Sequence, residues 1–130
     1  MKCCLKENMQ YIFLLFGIFT CSSFSSKNIT SSIQVGNLRC EYLVDPLGID
    51  IANPRFSWEM ISTESAKKQE AYEILVASDS LVLSRGIEDM WNAGKVNSVE
   101  SNQIAYQGKP LISDKSYFWK VRVWDVSVHR

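Results

Sequence analysis

The residue types that carry most enzyme chemistry are scarce in this 130-residue sequence. Two carboxylates adjoin at Glu88 and Asp89, and a pair of carboxyl groups can serve general acid and base catalysis. They stand in a segment with a loop pattern, without the apolar pocket that raises the pKa of a general acid. We therefore predict a solvated turn here and no catalytic residue.

Cysteine and histidine are too few to form a metal site. Three of the four cysteines, Cys3, Cys4 and Cys21, fall in the N-terminal segment, so Cys40 alone remains in the body. One thiol cannot form an internal disulfide, and Cys40 is predicted to be a small buried hydrophobe. With His129 as the single histidine, no metal-ligand set and no cofactor are predicted.

Charge and composition exclude further classes of function. The sequence has 14 basic and 14 acidic residues, so its net charge is zero and it carries no basic field for binding nucleic acid. Apolar residues make up 46%, a value typical of globular proteins. The length predicts one domain.

Residues 1–26 have the three-part layout of a secretory signal peptide. Lys2 and Lys6 form a basic start, residues 11–19 are apolar but too short to span a bilayer, and a Ser-rich stretch follows. A helical signal peptide is predicted, with a buried core helix as the alternative. Export places the chain in the periplasm, at the outer membrane or outside a bacterial cell.

Processing of this segment has two possible forms. Cleavage after Ser25 or Ser26 would release the body, whereas Cys21, directly after the apolar run, resembles a lipoprotein acceptor. Thr20 fits a lipoprotein signal poorly, because Gly, Ala or Ser is usual there. Membrane attachment is expected only if Cys21 is lipidated. The polar residues 27–32 are predicted to be a flexible lead-in.

The elements around these residues are predicted to be strands. The clearest is Ser116–Asp125, SYFWKVRVWD, in which Tyr117 and Trp119 alternate with more polar positions and point into a core. Phe118 and Trp124 share the opposite face with basic residues. This pair is interpreted either as covered by the basic side-chain stems or as a docking surface for other domains.

Further strands share the same core. Core anchors are predicted at Trp58, Tyr72 and Trp91, and Leu111 with Tyr117 fits a tyrosine corner. Residues 62–70 are predicted to be a solvated loop. The other predicted strands are 33–44, with a break at Gly36–Asn37, and 55–60, 71–77, 90–96 and 103–107. The spacing of strands and turns favours an all-β antiparallel sandwich over residues 33–130.

Five segments together resemble a known family. They are NLRCEYLVDPLGID, NPRFSWEM, QEAYEILVAS, MWNAGKV and YFWKVRVWD, in that order. The set is similar to the N-terminal fibronectin-type-III-like or immunoglobulin-like module of bacterial α-L-rhamnosidases, glycoside hydrolase family seventy-eight. The resemblance covers residues 35–125. Asn92 and Ala93 depart from it, because the family usually has Asp-Ser after that Trp.

The resemblance implies a non-catalytic accessory module. The full-length enzymes remove terminal rhamnose with inversion on a helical barrel domain, and no residue of that barrel is present to carry over. The resemblance also implies a fragment that ends before its last strand and before the barrel, leaving the edge of Ser116–Asp125 open. Its expected partners are the other domains of a rhamnosidase and rhamnose-containing glycans. A free-standing secreted adhesion or carbohydrate-binding sandwich is the alternative.

Overall fold

The computed structural model describes residues 2–3, 33–62 and 68–125. Apart from Lys2–Cys3, the predicted signal peptide and lead-in lie outside these residues, as do 126–130, after which the sandwich was predicted to lack its last strand. Those interpretations stay predictions. In chain order the elements are β1 (Lys2–Cys3), β2 (Ile33–Cys40), β3 (Arg55–Ser62), β4 (Gln69–Ala77), α1 (Ser80–Ser84), β5 (Trp91–Asn92), β6 (Ile104–Ala105) and β7 (Ser116–Asp125).

The strands form two sheets that pack as the predicted all-β sandwich. The first sheet has the order β1-β7-β4-β5, and the second has the order β2-β3-β6. All pairs are antiparallel except β1 with β7, which is parallel. The longest pairing joins β4 to β7, running from Gln69 opposite Asp125 to Ala77 opposite Phe118.

The first sheet is buried on both faces along β4. Tyr72, Ile74 and Val76 point into the main core, whereas Leu75 and Ala77 point to the other face, where α1 packs over them. The helix begins after Asp79, whose carboxylate accepts hydrogen bonds from the backbone N–H groups of the first turn. Leu83 of α1 therefore covers Leu75 and Ala77 on this face of the sheet.

The second sheet contains a register shift where a break was predicted. Between Gly36 and Arg39 the pairing of β2 with β3 slips, with Asn37 at a φ of 47°. Strand β2 then ends at Cys40, earlier than the predicted end at residue 44. Glu41 and Tyr42 adopt positive φ, which turns the backbone out of the sheet.

The main core is aromatic and bridges the sheets. Phe56 on β3 lies 4.5 Å from Trp119 on β7, and Trp58 on β3 lies 5.2 Å from Tyr72 on β4, measured between ring centroids. Cys40 is buried in this core with a free thiol, as the sequence predicted. Such ring pairs add to the free energy gained from burial alone.

The tyrosine corner predicted from the sequence is present. The Tyr117 hydroxyl accepts a hydrogen bond of 2.9 Å from the backbone N–H of Ile112. This hydrogen bond connects the segment that precedes β7 to the first residues of the strand. It thereby fixes the position of that segment relative to the sheet. Within the described residues, no helix is long and apolar enough to cross a membrane.

Other predicted boundaries were also wrong. The predicted solvated loop 62–70 contains Gln69, which starts β4 and is 1% exposed. The predicted strand 90–96 is reduced to β5, with a separate bridge between Tyr72 and Val96. Between β5 and the bridge residue Val96, Gly94 has a φ of 64°, so the backbone leaves the sheet after β5 and returns to it at Val96.

Candidate functional surfaces

The adjoining carboxylates are engaged in loop structure. Glu88 accepts a hydrogen bond of 2.8 Å from the Asn92 side chain, and Asp89 accepts one of 2.8 Å from the backbone N–H of Ser78. The hydrogen bond from the Ser78 hydroxyl lowers the pKa of Asp89, opposite to the shift that a general acid requires. Among residues 2–3, 33–62 and 68–125, no group of three metal-binding side chains occurs.

The structure brings four of the five predicted anchors into one core. Trp58, Tyr72, Tyr117 and Trp119 are buried there, whereas Trp91 is half-buried at its margin. Trp91 stands on β5, the edge strand of its sheet. It still packs edge-to-face against Tyr106 at 5.3 Å.

Two anchors were missing from the predicted set. Phe56 and Tyr106 are each 2% exposed and connect the rings of Trp91 and Trp119. Burial raises the pKa of Tyr106 to about 12, and its hydroxyl donates to the Lys109 carbonyl at 2.7 Å. The alternation of Phe56 with Trp58, and of Tyr106 with Ile104, was the available signal.

Phe118 and Trp124, the predicted docking pair, stand in separate environments. Phe118 is half-buried against the small cluster that α1 covers. Trp124 is half-buried as well, with Lys95 Nζ 4.9 Å and the Arg122 guanidinium 5.6 Å from its ring centroid. Of the two basic residues between them on β7, Arg122 lies over the Trp124 ring, whereas Lys120 is buried and donates to the Leu83 carbonyl at 2.7 Å. The docking role of these two aromatic side chains stays a prediction.

Half of the large apolar side chains that are exposed to solvent lie on a different surface. The connection between β2 and β3 includes residues 42–51, which we call the docking loop. Ten large apolar side chains are exposed in the described residues, and five of them lie in this loop. These five are Tyr42, Leu43, Val44, Leu47 and Ile51. Contiguous exposed apolar residues mark contact surfaces more often than isolated ones do.

An ion pair anchors the base of the docking loop. The Glu41 carboxylate accepts from Arg55 at the backbone N–H (2.7 Å), at Nε (3.1 Å) and at Nη2 (2.8 Å). These hydrogen bonds lower the pKa of Glu41 and raise that of Arg55. The Arg55 guanidinium also lies 5.4 Å from the centroid of the Tyr42 ring. The start and the end of the connection are therefore held together.

A comparison with known protein families finds a match that covers most of the described residues. The family described as Rha78A-like, N-terminal immunoglobulin domain matches residues 35–129. An α-L-rhamnosidase of Streptomyces avermitilis is 44% identical over 95 residues, which cover 73% of this chain and 9% of that protein. An α-L-rhamnosidase of Formosa agariphila is 34% identical over 121 residues, which cover 93% of this chain and 13% of that protein.

Solved structures agree in fold. The α-L-rhamnosidase structure from Dictyoglumus thermophilum superposes with a TM-score of 0.68 at 44% identity, over 71% of this chain and 10% of that one. The S. avermitilis α-L-rhamnosidase complexed with L-rhamnose gives the same TM-score and identity, over 72% of this chain and 9% of that one. The chain thus spans about a tenth of the length of the relatives it matches.

Proposed function

The chain belongs to the family of Rha78A-like, N-terminal immunoglobulin domains, and from this we propose that it is a non-catalytic accessory module of an exported α-L-rhamnosidase. The observation that supports this most directly is the extent of the match. Relatives named α-L-rhamnosidase align with this chain through 9–13% of their length. In this proposal, the catalytic groups lie in the part of such a protein that does not align with this chain.

The role we assign is contact with the other domains of the enzyme, rather than binding of a glycan. Sugar-binding surfaces commonly present an open aromatic ring beside a few fixed polar groups. Here Trp58 and Trp119 are buried, and Trp91 and Trp124 are half-buried, the latter with cations against its ring. Rhamnose-containing glycans, the second partner predicted from the resemblance, would meet no open tryptophan among the described residues. The exposed aromatic side chain among them, Tyr42, has the Arg55 guanidinium 5.4 Å from its ring centroid. For the same reason we do not favour a free-standing carbohydrate-binding module.

Export completes the proposal. Residues 1–26 direct the chain to the periplasm, the outer membrane or the exterior of a bacterium, and acylation at Cys21 would anchor it there. Mass spectrometry of the mature N-terminus decides between the two forms of processing. A lipid-modified Cys21 shows anchoring, a free N-terminus near residue 26 shows simple cleavage, and an intact Met1 contradicts export.

Activity and chimera assays test the function. The purified 130-residue chain should release no aryl aglycone from an aryl α-L-rhamnoside above the buffer blank. Replacing the matched module of the S. avermitilis enzyme with residues 35–129 of this chain should give a soluble, active chimera. The module should then melt at a higher temperature than in the isolated chain, because contact with other domains stabilises it.

Two results would contradict the proposal. One is rhamnoside hydrolysis by the isolated chain that persists after contaminating enzyme is removed. The other is a chimera in which the module melts at the temperature of the isolated chain, since no contact with the enzyme would then exist.

A further inference from the structure

We infer that the docking loop, residues 42–51, is the surface through which this module seats on an adjoining domain of the same polypeptide. The inference rests on the proposed function and deepens it, because it names the contact surface and its chemistry. It moves that surface away from Phe118 and Trp124, which the sequence had indicated. Four observations carry the inference: exposure, anchoring, backbone geometry and charge.

The exposed side chains of the docking loop are large and aliphatic. Leu47 is 79% exposed, Val44 65% and Leu43 56%, and these values describe side chains with little cover from their own fold. Isolated exposed apolar residues are normal on protein surfaces, but a run of them is not. Burial of such side chains against another protein surface is strongly favourable.

The docking loop is held in place although its tips are exposed. Pro46 and Ile49 are buried, and Ile49 packs with the main core. At its start, the backbone N–H of Cys40 donates to the Leu43 carbonyl at 2.9 Å, and Leu43 N–H donates back at 3.0 Å. Alternate parts of the loop therefore face inward and outward. A surface fixed in advance loses less entropy when it binds.

The backbone of this connection is strained at three non-glycine residues. Glu41, Tyr42 and Asp45 have φ values of 49°, 65° and 47°, in the left-handed region that L-amino acids disfavour. Such residues persist where surrounding contacts hold them, and they cluster at binding and switching sites. The Glu41–Arg55 ion pair supplies that hold at the base of the loop.

Charge identifies the chemistry of the occupant. Asp45 and Asp50 are exposed beside the aliphatic side chains, so the loop has an apolar centre and an acidic rim. The complementary surface is a protein face with an apolar centre and a Lys or Arg rim. A symmetric contact with a second copy would instead bring these carboxylates together, which costs free energy.

The adjoining domain of the same polypeptide is the occupant that meets these conditions. About nine tenths of the length of each matched relative lies outside the aligned module, so most of its surface is available to cover the loop. Covalent linkage also raises the effective concentration of the two surfaces, so a contact of modest area suffices. In the assembled protein, the adjoining domain then covers the exposed aliphatic side chains of the docking loop.

The test uses the chimera with the S. avermitilis enzyme described above. The double variant Leu43→Ser/Leu47→Ser removes two apolar tips, and Leu81→Ser/Val99→Ser is the matched control. The control side chains are similarly exposed, 66% and 70%, and are not part of the docking loop. Limited proteolysis between the module and the rest of the chimera measures how much of the population is undocked.

The loop variant should raise the rate of cleavage at that junction by roughly a hundredfold, because each of the two leucines contributes about a tenfold factor when it is buried. The control variant should leave the rate unchanged. In the isolated 130-residue chain, both variants should keep the urea midpoint of the wild type, since the substituted side chains are exposed there.

The outcomes separate the loop from the proposed function. If the wild-type chimera is docked but loop and control variants behave alike, the loop is not the contact and the proposed function stands. A wild-type chimera that is already undocked overturns both. A lower urea midpoint for the loop variant in the isolated chain would make the loop part of the module's own core. An isolated chain that dimerises, and that the loop variant returns to a monomer, would make a second copy the occupant.

Discussion

At the scale of single residues, Gln69 shows how one buried polar side chain ties distant segments together. Its Oε1 accepts from the Trp58 indole N–H at 3.0 Å, and its Nε2 donates to the carbonyls of Ser98 (3.0 Å) and Glu100 (2.7 Å). The amide thus links β4, β3 and the chain after β5. A glutamine at the end of the polar run 62–70 has no sequence pattern that distinguishes it from its solvated neighbours.

We expect Gln69→Ala to lower the free energy of unfolding by about 3 kcal/mol. Removing the amide leaves one indole N–H and two carbonyls without their partner, and each buried unsatisfied group costs ~1–3 kcal/mol, with part recovered by entering water. Urea unfolding of the 130-residue chain, followed by tryptophan fluorescence, measures the change.

The matched control for this substitution is Glu70→Ala. Glu70 is the next residue along β4, and its side chain is exposed. An exposed substitution is expected to stay within about 0.5 kcal/mol of the wild type. Equal losses for the two variants would show that the cost comes from strand propensity rather than from the hydrogen bonds of Gln69.

At the scale of elements, the connection between β2 and β3 depends on the Glu41–Arg55 ion pair. Its side chains differ in exposure, with the Arg55 side chain 40% exposed and that of Glu41 10% exposed. Three hydrogen bonds to one carboxylate fix the start of the connection against its end. The pair therefore controls a loop geometry as well as contributing to stability.

The pH dependence of stability should report this ion pair. The hydrogen bonds from Arg55 lower the pKa of Glu41 below its ordinary 4.5. Its carboxylate therefore stabilises the fold above that ordinary value, and the contribution is lost as the pH falls through the lowered folded pKa. Arg55 keeps its charge over this whole range, because its pKa is raised. Glu41→Gln should reduce stability at about pH 7 and lose less between about pH 5 and pH 2 than the wild type.

Urea midpoints at several pH values measure both effects. Glu70→Gln is the control, because it removes a carboxylate that is exposed on β4. If Glu41→Gln and Glu70→Gln give parallel curves of stability against pH, the ion pair has no role in the acid response.

The sequence predicted an element well where the two-residue alternation of a strand continues over the whole length of that element. Strand β7 was predicted with the bounds Ser116–Asp125 because aromatic and β-branched residues alternate without interruption. Strands β5 and β6 have two residues each, so most of their predicted length proved to be loop. The docking loop was not predicted as a surface. Its form depends on positive φ values at non-glycine residues, which tertiary contacts impose and residue type does not signal.

At the scale of the whole molecule, two ring pairs join the sheets across the sandwich. Phe56 with Trp119 and Trp58 with Tyr72 each place one ring on the second sheet and one on the first. Because the sheets share these contacts, we expect them to unfold together rather than separately.

Trp119→Ala tests that coupling. Removing a core Trp typically costs ~3–5 kcal/mol, close to the whole stability of a marginal domain at ~5 kcal/mol. Fluorescence and far-UV circular dichroism should therefore show one shared transition that shifts strongly to lower temperature. Trp124→Ala, at a half-buried site, should cost only about 1–2 kcal/mol. A Trp119→Ala protein with wild-type stability would mean that the ring does not hold the sheets together.

The long pairing of β4 with β7 sets the order of events while the chain is being made. Strand β4 ends at Ala77 and β7 begins at Ser116, so 38 residues, 78–115, separate the nearest ends of the two strands. At a synthesis rate of ~5–20 residues per second, β4 leaves the ribosome about two to eight seconds before the start of its partner. During that interval the backbone N–H and C=O groups of β4 lack their hydrogen-bond partners on β7. Because β4 is also strongly apolar, it is exposed to pairing with other chains. Slower translation through residues 78–115 would lengthen this interval, and a chaperone or export factor that covers β4 would shield the nascent chain until β7 arrives.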